Sequence, residues 1–155
     1  MAKRMPLYQA RKTAARLCEL LAPACLVIAG KPQLAVAGSV RRQQSTVGDI
    51  EIVAASQFAG QQTLFDDGGG KGYDRPAMNG LVADLVANQA LPIEFDHAHQ
   101  ANGERYKRLR ITKRQHGDEL WTIAADLFIV LPRRTWGVTL ALRTGPAEFS
   151  HLLVT

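Results

Sequence analysis

The chain of 155 residues has little cysteine and no long hydrophobic run. Its two cysteines, Cys18 and Cys25, have a spacing that fits no zinc finger, so we expect reduced thiols in a cytosolic protein. No apolar run reaches the roughly 18 residues that a membrane-spanning helix needs. The basic start Lys3-Arg4 leads into a patterned helix instead of the apolar core of a signal peptide. These absences predict a soluble, cytoplasmic protein without a membrane partner.

The composition is that of a basic globular domain. Apolar residues make up 46% of the chain, and its length predicts a single domain over residues 1–155. The formal net charge of +5 suggests an anionic partner such as nucleic acid or a nucleotide, although many basic proteins bind nothing anionic. Charge alone therefore leaves nucleic-acid binding open.

Hydrophobic periodicity predicts both helices and strands. In chain order we expect a helix between Pro6 and Pro23, a strand at 34–37, a helical turn at 40–44, a strand at 49–55, a helix at 79–88 capped by Asn79, strands at 106–112 and 121–130 joined through 115–118, a helix at 135–143 stopped by Gly145, and a final helix from Pro146. Residues 57–78 include the glycine-rich stretch 68–72 and are predicted to form a long loop. That loop lacks the Gly-Lys-Ser/Thr ending of a phosphate-binding loop.

Two acidic residues alternate with apolar ones in the strand at 49–55. Asp49 and Glu51 therefore project from one face, with Cα atoms roughly 7 Å apart. Unpaired acids at that distance repel each other and resist ionising unless a cation lies between them. Hard carboxylate oxygens suit Mg²⁺, which also binds phosphate oxygens. The local chemistry indicates metal-dependent phosphoryl or nucleotidyl transfer.

Three ordered blocks resemble the nucleotidyltransferase superfamily, and within it the palm domain of family X (DNA polymerase beta-like) DNA polymerases. The first block is Gly38-Ser39, Arg41-Arg42, six spacer residues and Asp49-x-Glu51. The second block comprises residues 125–130, Pro132, Trp136-Gly137 and residues 143–149; a weaker third match is Arg4-Met5-Pro6. Together the blocks extend from Arg4 to about Phe149.

The resemblance implies an α+β fold, a nucleotidyltransferase palm with a central mixed β-sheet flanked by helices. It assigns Asp49, Glu51 and Asp126 to a catalytic cradle for two Mg²⁺ ions, for which Mn²⁺ can substitute. Asp126 lies in an otherwise apolar strand, where a merely solvated charge is hard to accommodate. The implied triphosphate contacts are Arg4, Gly38, Ser39, Arg42 and Gly48, and the implied sugar-side turn is Thr144-Gly145.

The implied function is transfer of a nucleoside monophosphate from a nucleoside triphosphate to a 3′-hydroxyl, with release of pyrophosphate. A minimal DNA polymerase that fills gaps in primed or gapped DNA during repair is the first expectation. Untemplated transfer to RNA, to a small molecule or to a protein is the alternative within enzymes. A non-catalytic nucleic-acid-binding palm is the alternative outside enzymes.

Several family features differ or are missing. Leu142 and Arg143 replace an aromatic pair that helps to exclude the ribose 2′-hydroxyl, Ala124 replaces an arginine beside the third aspartate, and Ser150 replaces a base-contacting asparagine. From this sequence we expect no lyase domain, no helix–hairpin–helix motifs and no complete thumb. We therefore expect a palm alone, with a protein partner supplying the grip on DNA. Small palms of this kind resemble phage or mobile-element genes.

Two further groups of side chains have competing interpretations. His97 and His99 follow Asp96 and could bind a metal or form a solvated loop. A basic strand and turn could track a nucleic-acid backbone or protect an edge strand by charge: Lys107, Arg108, Arg110, Lys113 and Arg114.

Overall fold

The computed structural model describes residues 4–58, 76–88, 92–96, 102–114, 120–130 and 136–146. Several predicted features lie outside these residues. They are the glycine-rich stretch 68–72, the pair His97 and His99, the turn at 115–118, the helix from Pro146, and Ser150.

A five-stranded mixed sheet forms the centre of the described fold. Its strands lie in the order β4 (Leu34–Ala37), β6 (Asp49–Ala55), β9 (Leu120–Val130), β8 (Tyr106–Arg114) and β7 (Ile93–Phe95). The β6 and β9 strands run parallel, and every other neighbouring pair is antiparallel. The helices are α1 (Leu7–Leu21), α2 (Gly38–Arg41), α3 (Ala77–Ala87) and α4 (Trp136–Thr144). This confirms the predicted α+β class with a mixed sheet and flanking helices.

One face of the sheet forms the main hydrophobic core. The strand β6 alternates as predicted, so Ile50, Ile52 and Ala54 are buried on this face. The helix α1 begins directly after Pro6, which fixes the entry to the helix, and buries Leu17 and Leu21 against the same core. The opposite face of β6 is thereby left for Asp49 and Glu51.

The helix α4 covers part of that opposite face. Its Trp136 and Leu140 pack on a small cluster formed by Ala37, Val53 and Val130. No residue of α4 is fully buried. Apolar contact therefore anchors α4 weakly in comparison with α1.

Two short strand pairs lie outside the main sheet. The strand β1 (Met5–Pro6) pairs with β5 (Thr46–Val47), and β2 (Val27–Ile28) pairs with β3 (Lys31–Pro32). The first pair joins the segment before α1 to the segment before Asp49, so Arg4 comes close to the site face. Among the described helices, none is both long enough and apolar enough to cross a membrane.

Two sequence predictions about elements were wrong. Asn79 does not cap α3, because the helix begins at Ala77 after Pro76 and encloses Asn79 in its first turn. The helical turn predicted at 40–44 begins earlier, at Gly38, whose φ of +59° starts α2 directly after β4.

The strand β8 is not an edge strand, since β7 and β9 lie on its two sides. Lys107 is buried on the core face, where its Nζ donates to Asn102 Oδ1 at 2.8 Å and to the Gly103 carbonyl at 3.2 Å. Burial lowers the pKa of Lys107. Lys107 therefore stabilises the start of β8 and does not form part of a nucleic-acid surface.

Candidate active site

The strand register brings the three predicted carboxylates to one face of the sheet. Asp49 and Glu51 alternate along β6, and Glu51 is directly opposite Asp126 in the parallel neighbour β9. Adjacent strands are about 4.8 Å apart, so Glu51 and Asp126 share a site in spite of their distance in the sequence. Asp126 is buried, while Asp49 and Glu51 are half-buried.

The pKa values reflect this crowding. Burial, followed by the charges of Asp49 and Asp126, raises the pKa of Glu51 to about 7. Burial, followed by the charge of Asp126, also raises the pKa of Asp49, and Arg108, Arg4 and Arg42 oppose that shift. Both carboxyl groups therefore resist ionisation, because they are partly buried beside other acids.

The Asp126 carboxylate is held by two side chains of β8. Arg108 Nη1 donates to Asp126 Oδ1 at 2.9 Å and to Oδ2 at 2.8 Å, and the Tyr106 hydroxyl donates to Oδ1 at 2.8 Å. Burial and then the bond to Asp126 raise the pKa of Tyr106, so its hydroxyl remains a donor at neutral pH. Arg108 thus supplies a guanidinium beside the third carboxylate, where Ala124 cannot.

Glu51 and Asp126 lean toward opposite sides of the site. The Glu51 carboxylate lies over Gly38, so closely that a Cβ atom on Gly38 would overlap it. Asp126 instead reaches toward β8 and Arg108. In the part of the chain that the structure describes, no three acidic, histidine or cysteine side chains are grouped closely enough to hold a metal ion. The divergence of Glu51 and Asp126 gives a physical reason for this.

Arg4 is attached beside Gly48 and Asp49. Its Nε donates to Thr46 Oγ1 at 3.0 Å and its Nη2 donates to the Thr46 carbonyl at 2.8 Å. A Cβ atom on Gly48 would lie 3.6 Å from Arg4 Nη1. The structure therefore brings Arg4, Gly48 and Asp49 together.

Arg42 joins the Gly38-Ser39 turn to the end of α4. Its Nη1 donates to the Thr144 carbonyl at 2.7 Å and to the Gly145 carbonyl at 3.3 Å. Carbonyls at a helix C-terminus lack helical partners and favour a nearby cation. The predicted phosphate-side and sugar-side turns are therefore neighbours in space.

Two hydroxyl groups at these turns have no internal partner. Within the described residues, Ser39 Oγ and Thr144 Oγ1 are buried and make no hydrogen bond. An unsatisfied buried hydroxyl costs about 1–3 kcal/mol. Both hydroxyls belong to residues for which the resemblance implies contact with a nucleotide.

Arg143 lies over the ring of Phe128, with the guanidinium carbon 4.0 Å from the ring centroid. Phe128 in turn stacks on Tyr106 with centroids 5.2 Å apart. Arg143 also lowers the pKa of Glu51, against the effects of burial and the neighbouring acids. Arg143 is thus a cation fixed on an aromatic ring beside the acids.

The sequence predictions missed the roles of Tyr106 and Arg108. Both residues were expected in a strand, but their partners depend on the register of β8 against β9. A turn centred on Gly117 would have placed Arg108 opposite Asp126, because both residues are nine positions from that glycine. The predicted turn at 115–118 is centred half a residue earlier, which shifts the register by one and would place Arg108 opposite Ala125 instead.

The site face therefore combines three carboxylates with the guanidinium groups of Arg4, Arg42, Arg108 and Arg143. Oxygen ligands for a hard cation and positive groups for an anion lie side by side. No family model matches this chain, and no curated protein matches it.

Proposed function

We propose that this protein is a metal-dependent nucleotidyltransferase with a polymerase-like palm. It transfers a nucleoside monophosphate from a nucleoside triphosphate to a 3′-hydroxyl, most simply at primed or gapped DNA. The strand register supports this most directly, because it puts Glu51 opposite Asp126 and on the same sheet face as Asp49. A fold without such a function would have little reason to keep three acids on one partly desolvated face.

The three carboxylates fit a divalent cation by their chemistry. Their oxygens are hard ligands, and the raised pKa values of Asp49 and Glu51, caused first by burial and then by the neighbouring acids, mean that ionising these groups without a cation is costly. Asp49, Glu51 and Asp126 would hold the metal. A bound Mg²⁺ would supply charge neutralisation and a lower pKa for the attacking hydroxyl.

The surrounding side chains suit a triphosphate. Arg4 and Arg42 are each anchored through backbone carbonyls, of Thr46 and of Thr144 and Gly145, which orients their guanidinium groups beside the acids. Gly38 has no Cβ atom, and the Glu51 carboxylate lies in the space that such an atom would fill. In this proposal the arginines bind and orient the phosphates. The 3′-hydroxyl oxygen loses its proton to solvent and bonds to the α-phosphorus, while the bond from the α-phosphorus to the bridging oxygen breaks and pyrophosphate leaves.

The test is an incorporation assay with purified protein and Mg²⁺ or Mn²⁺. Labelled deoxy- and ribonucleoside triphosphates are offered with single-stranded, primed and gapped DNA. We expect extension by the wild type and a loss of at least about 1000-fold in Asp49→Asn and Asp126→Asn, because each substitution removes a charged ligand from the transition state. Circular dichroism confirms that both variants fold.

The same assay separates the other candidate functions. Incorporation that ignores template identity would favour untemplated transfer. Salt-sensitive DNA binding without Mg²⁺-dependent turnover would favour a non-catalytic binding module. Equal incorporation by the wild type and both variants would contradict the proposal.

A further inference from the structure

Arg108 lies between two buried carboxylates. On one side it donates to both oxygens of Asp126, at 2.9 and 2.8 Å. On the other side its Nε is 3.4 Å from Asp96 Oδ2, which is an ion pair without a hydrogen bond. The side chains of Asp96 and Asp126 are each only 8% exposed. One guanidinium charge is thus shared unequally between two acids.

The backbone fixes this arrangement. Asp96 follows the last residue of β7, and its N–H donates to the Arg108 carbonyl at 2.9 Å. Arg108 is directly opposite Asp126 in the ladder between β8 and β9. Asp96, Arg108 and Asp126 therefore form a row across three neighbouring strands.

A similar pair lies two residues earlier on β7 and two residues later on β8. Arg110 Nε is 3.7 Å from Glu94 Oε1, and the two side chains are 48% and 58% exposed. Water screens such a pair, whereas the buried row is screened much less. Arg110 and Glu94 therefore provide matched controls for Arg108 and Asp96.

We propose that Arg108 competes with a divalent cation for the Asp126 carboxylate, and that Asp96 weakens this competition by sharing the charge of Arg108. Both Asp126 oxygens already accept from Arg108, so a cation must share or displace that guanidinium. Asp96 and Arg108 are thus positioning residues that set the metal affinity of the site. The inference rests on the proposed function, because it assumes that Asp126 is a metal ligand.

The test measures Mn²⁺ affinity from the electron paramagnetic resonance of free Mn²⁺, at fixed pH and ionic strength. Arg108→Met should lower the Kd for Mn²⁺ by about tenfold, because it removes the competing cation, and Asp96→Asn should raise the Kd by roughly threefold or more. Arg110→Met and Glu94→Gln make the same changes of charge and should stay within about twofold of the wild type.

A double-mutant cycle separates a specific effect from a general effect of charge. In the Arg108→Met background, Asp96→Asn should change the Kd by less than about twofold, because Asp96 acts through Arg108. Asp96→Asn is isosteric and tests the proposal by itself where Arg108→Met fails to fold.

The results that would contradict the inference differ from those that would contradict the proposed function. Wild-type affinity in Asp96→Asn, or effects of Arg110→Met and Glu94→Gln that equal those of the buried pair, would overturn the inference and leave the proposed function standing. A wild-type protein that binds no Mn²⁺ at millimolar concentration would overturn the proposed function, and the inference with it.

Discussion

At the scale of single residues, Glu51 links the proposed chemistry to stability. Its pKa rises from 4.5 to about 7, first because of burial and then because of Asp49 and Asp126. At a pH between these two pKa values, Glu51 is protonated more often in the folded state than in the unfolded state. The contribution of Glu51 to stability is therefore full below pH 4.5 and is lost as the pH rises to about 7.

Glu51→Gln should remove this pH dependence. In the presence of a chelator, we expect the variant to be more stable than the wild type by about 1–2 kcal/mol at pH 8. Near pH 4.5, the pKa of Glu51 in the unfolded chain, the two proteins should be equally stable. Urea denaturation across that range measures the difference. Glu94→Gln, at a largely exposed carboxylate, is the control. Parallel stability profiles for Glu51→Gln and the wild type would contradict the electrostatic account.

Gly38 is the residue whose lack of a side chain matters most for Glu51. Its φ is +59°, and an added Cβ atom would overlap the Glu51 carboxylate. Gly38→Ala should therefore destabilise the protein by about 1–2 kcal/mol and displace Glu51. In contrast, Gly80 lies in α3 with nothing within 4 Å of an added Cβ atom. Gly80→Ala should stabilise the helix by up to about 1 kcal/mol. Similar urea midpoints for the two variants would contradict this account.

At the scale of secondary-structure elements, α4 depends on Arg42. The helix packs on the sheet mainly through Trp136 and Leu140, while Arg42 binds the carbonyls of Thr144 and Gly145 at its end. A helix with few buried contacts opens locally more easily than a core helix. The hydrogen bonds from Arg42 should therefore contribute a large share of the stability of its last turn.

Arg42→Ala should accelerate amide hydrogen exchange in the last turn of α4 by roughly fivefold, which corresponds to about 1 kcal/mol for the lost hydrogen bonds. Exchange in α1 should not change. Arg11→Ala, an equal change of charge on the exposed side of α1, should leave α4 exchange as in the wild type. An unchanged exchange rate in Arg42→Ala would show that packing alone holds the helix.

The elements differ in how far the sequence could predict them. The strand at 49–55 was predictable, because Ile50, Ile52 and Ala54 alternate with Asp49 and Glu51. The start of α3 was not, since Asn79 offered a capping side chain three residues after the true cap at Pro76. Pairing of Arg108 with Asp126 required the strand register, which local propensity does not encode.

At the scale of the whole molecule, the sheet separates stability from the candidate site. The main core lies on one face, with α1 and α3, and the carboxylates lie on the other, with α4. The strand order β4-β6-β9-β8-β7 makes this possible, because β6 and β9 meet in parallel at the centre. This order could not be predicted from the sequence, since it depends on contacts between distant segments.

Ligand binding should therefore stabilise the fold only through the site face. A nucleoside triphosphate with Mg²⁺ at about 100 times its Kd adds about 2.7 kcal/mol of stability, which should raise the thermal midpoint by several degrees. Asp49→Asn should lose this increase. Ile111→Val should destabilise the main core by about 1 kcal/mol and so lower the thermal midpoint. The ligand should still raise the thermal midpoint of this variant as it does that of the wild type. A ligand-induced rise in thermal midpoint that is as large in Asp49→Asn as in the wild type would show that the ligand binds away from Asp49.

The position of the transferred phosphorus tests the central claim most directly. The wild type is incubated with Mg²⁺, a 3′-hydroxyl acceptor and a nucleoside triphosphate labelled at either the α- or the γ-phosphate. Nucleotidyl transfer by the site of Asp49, Glu51 and Asp126 predicts the α-label in the acceptor and the γ-label in pyrophosphate, with both signals lost in Asp49→Asn. Transfer of the γ-label to the acceptor, or α-label incorporation that survives in Asp49→Asn, would contradict the account.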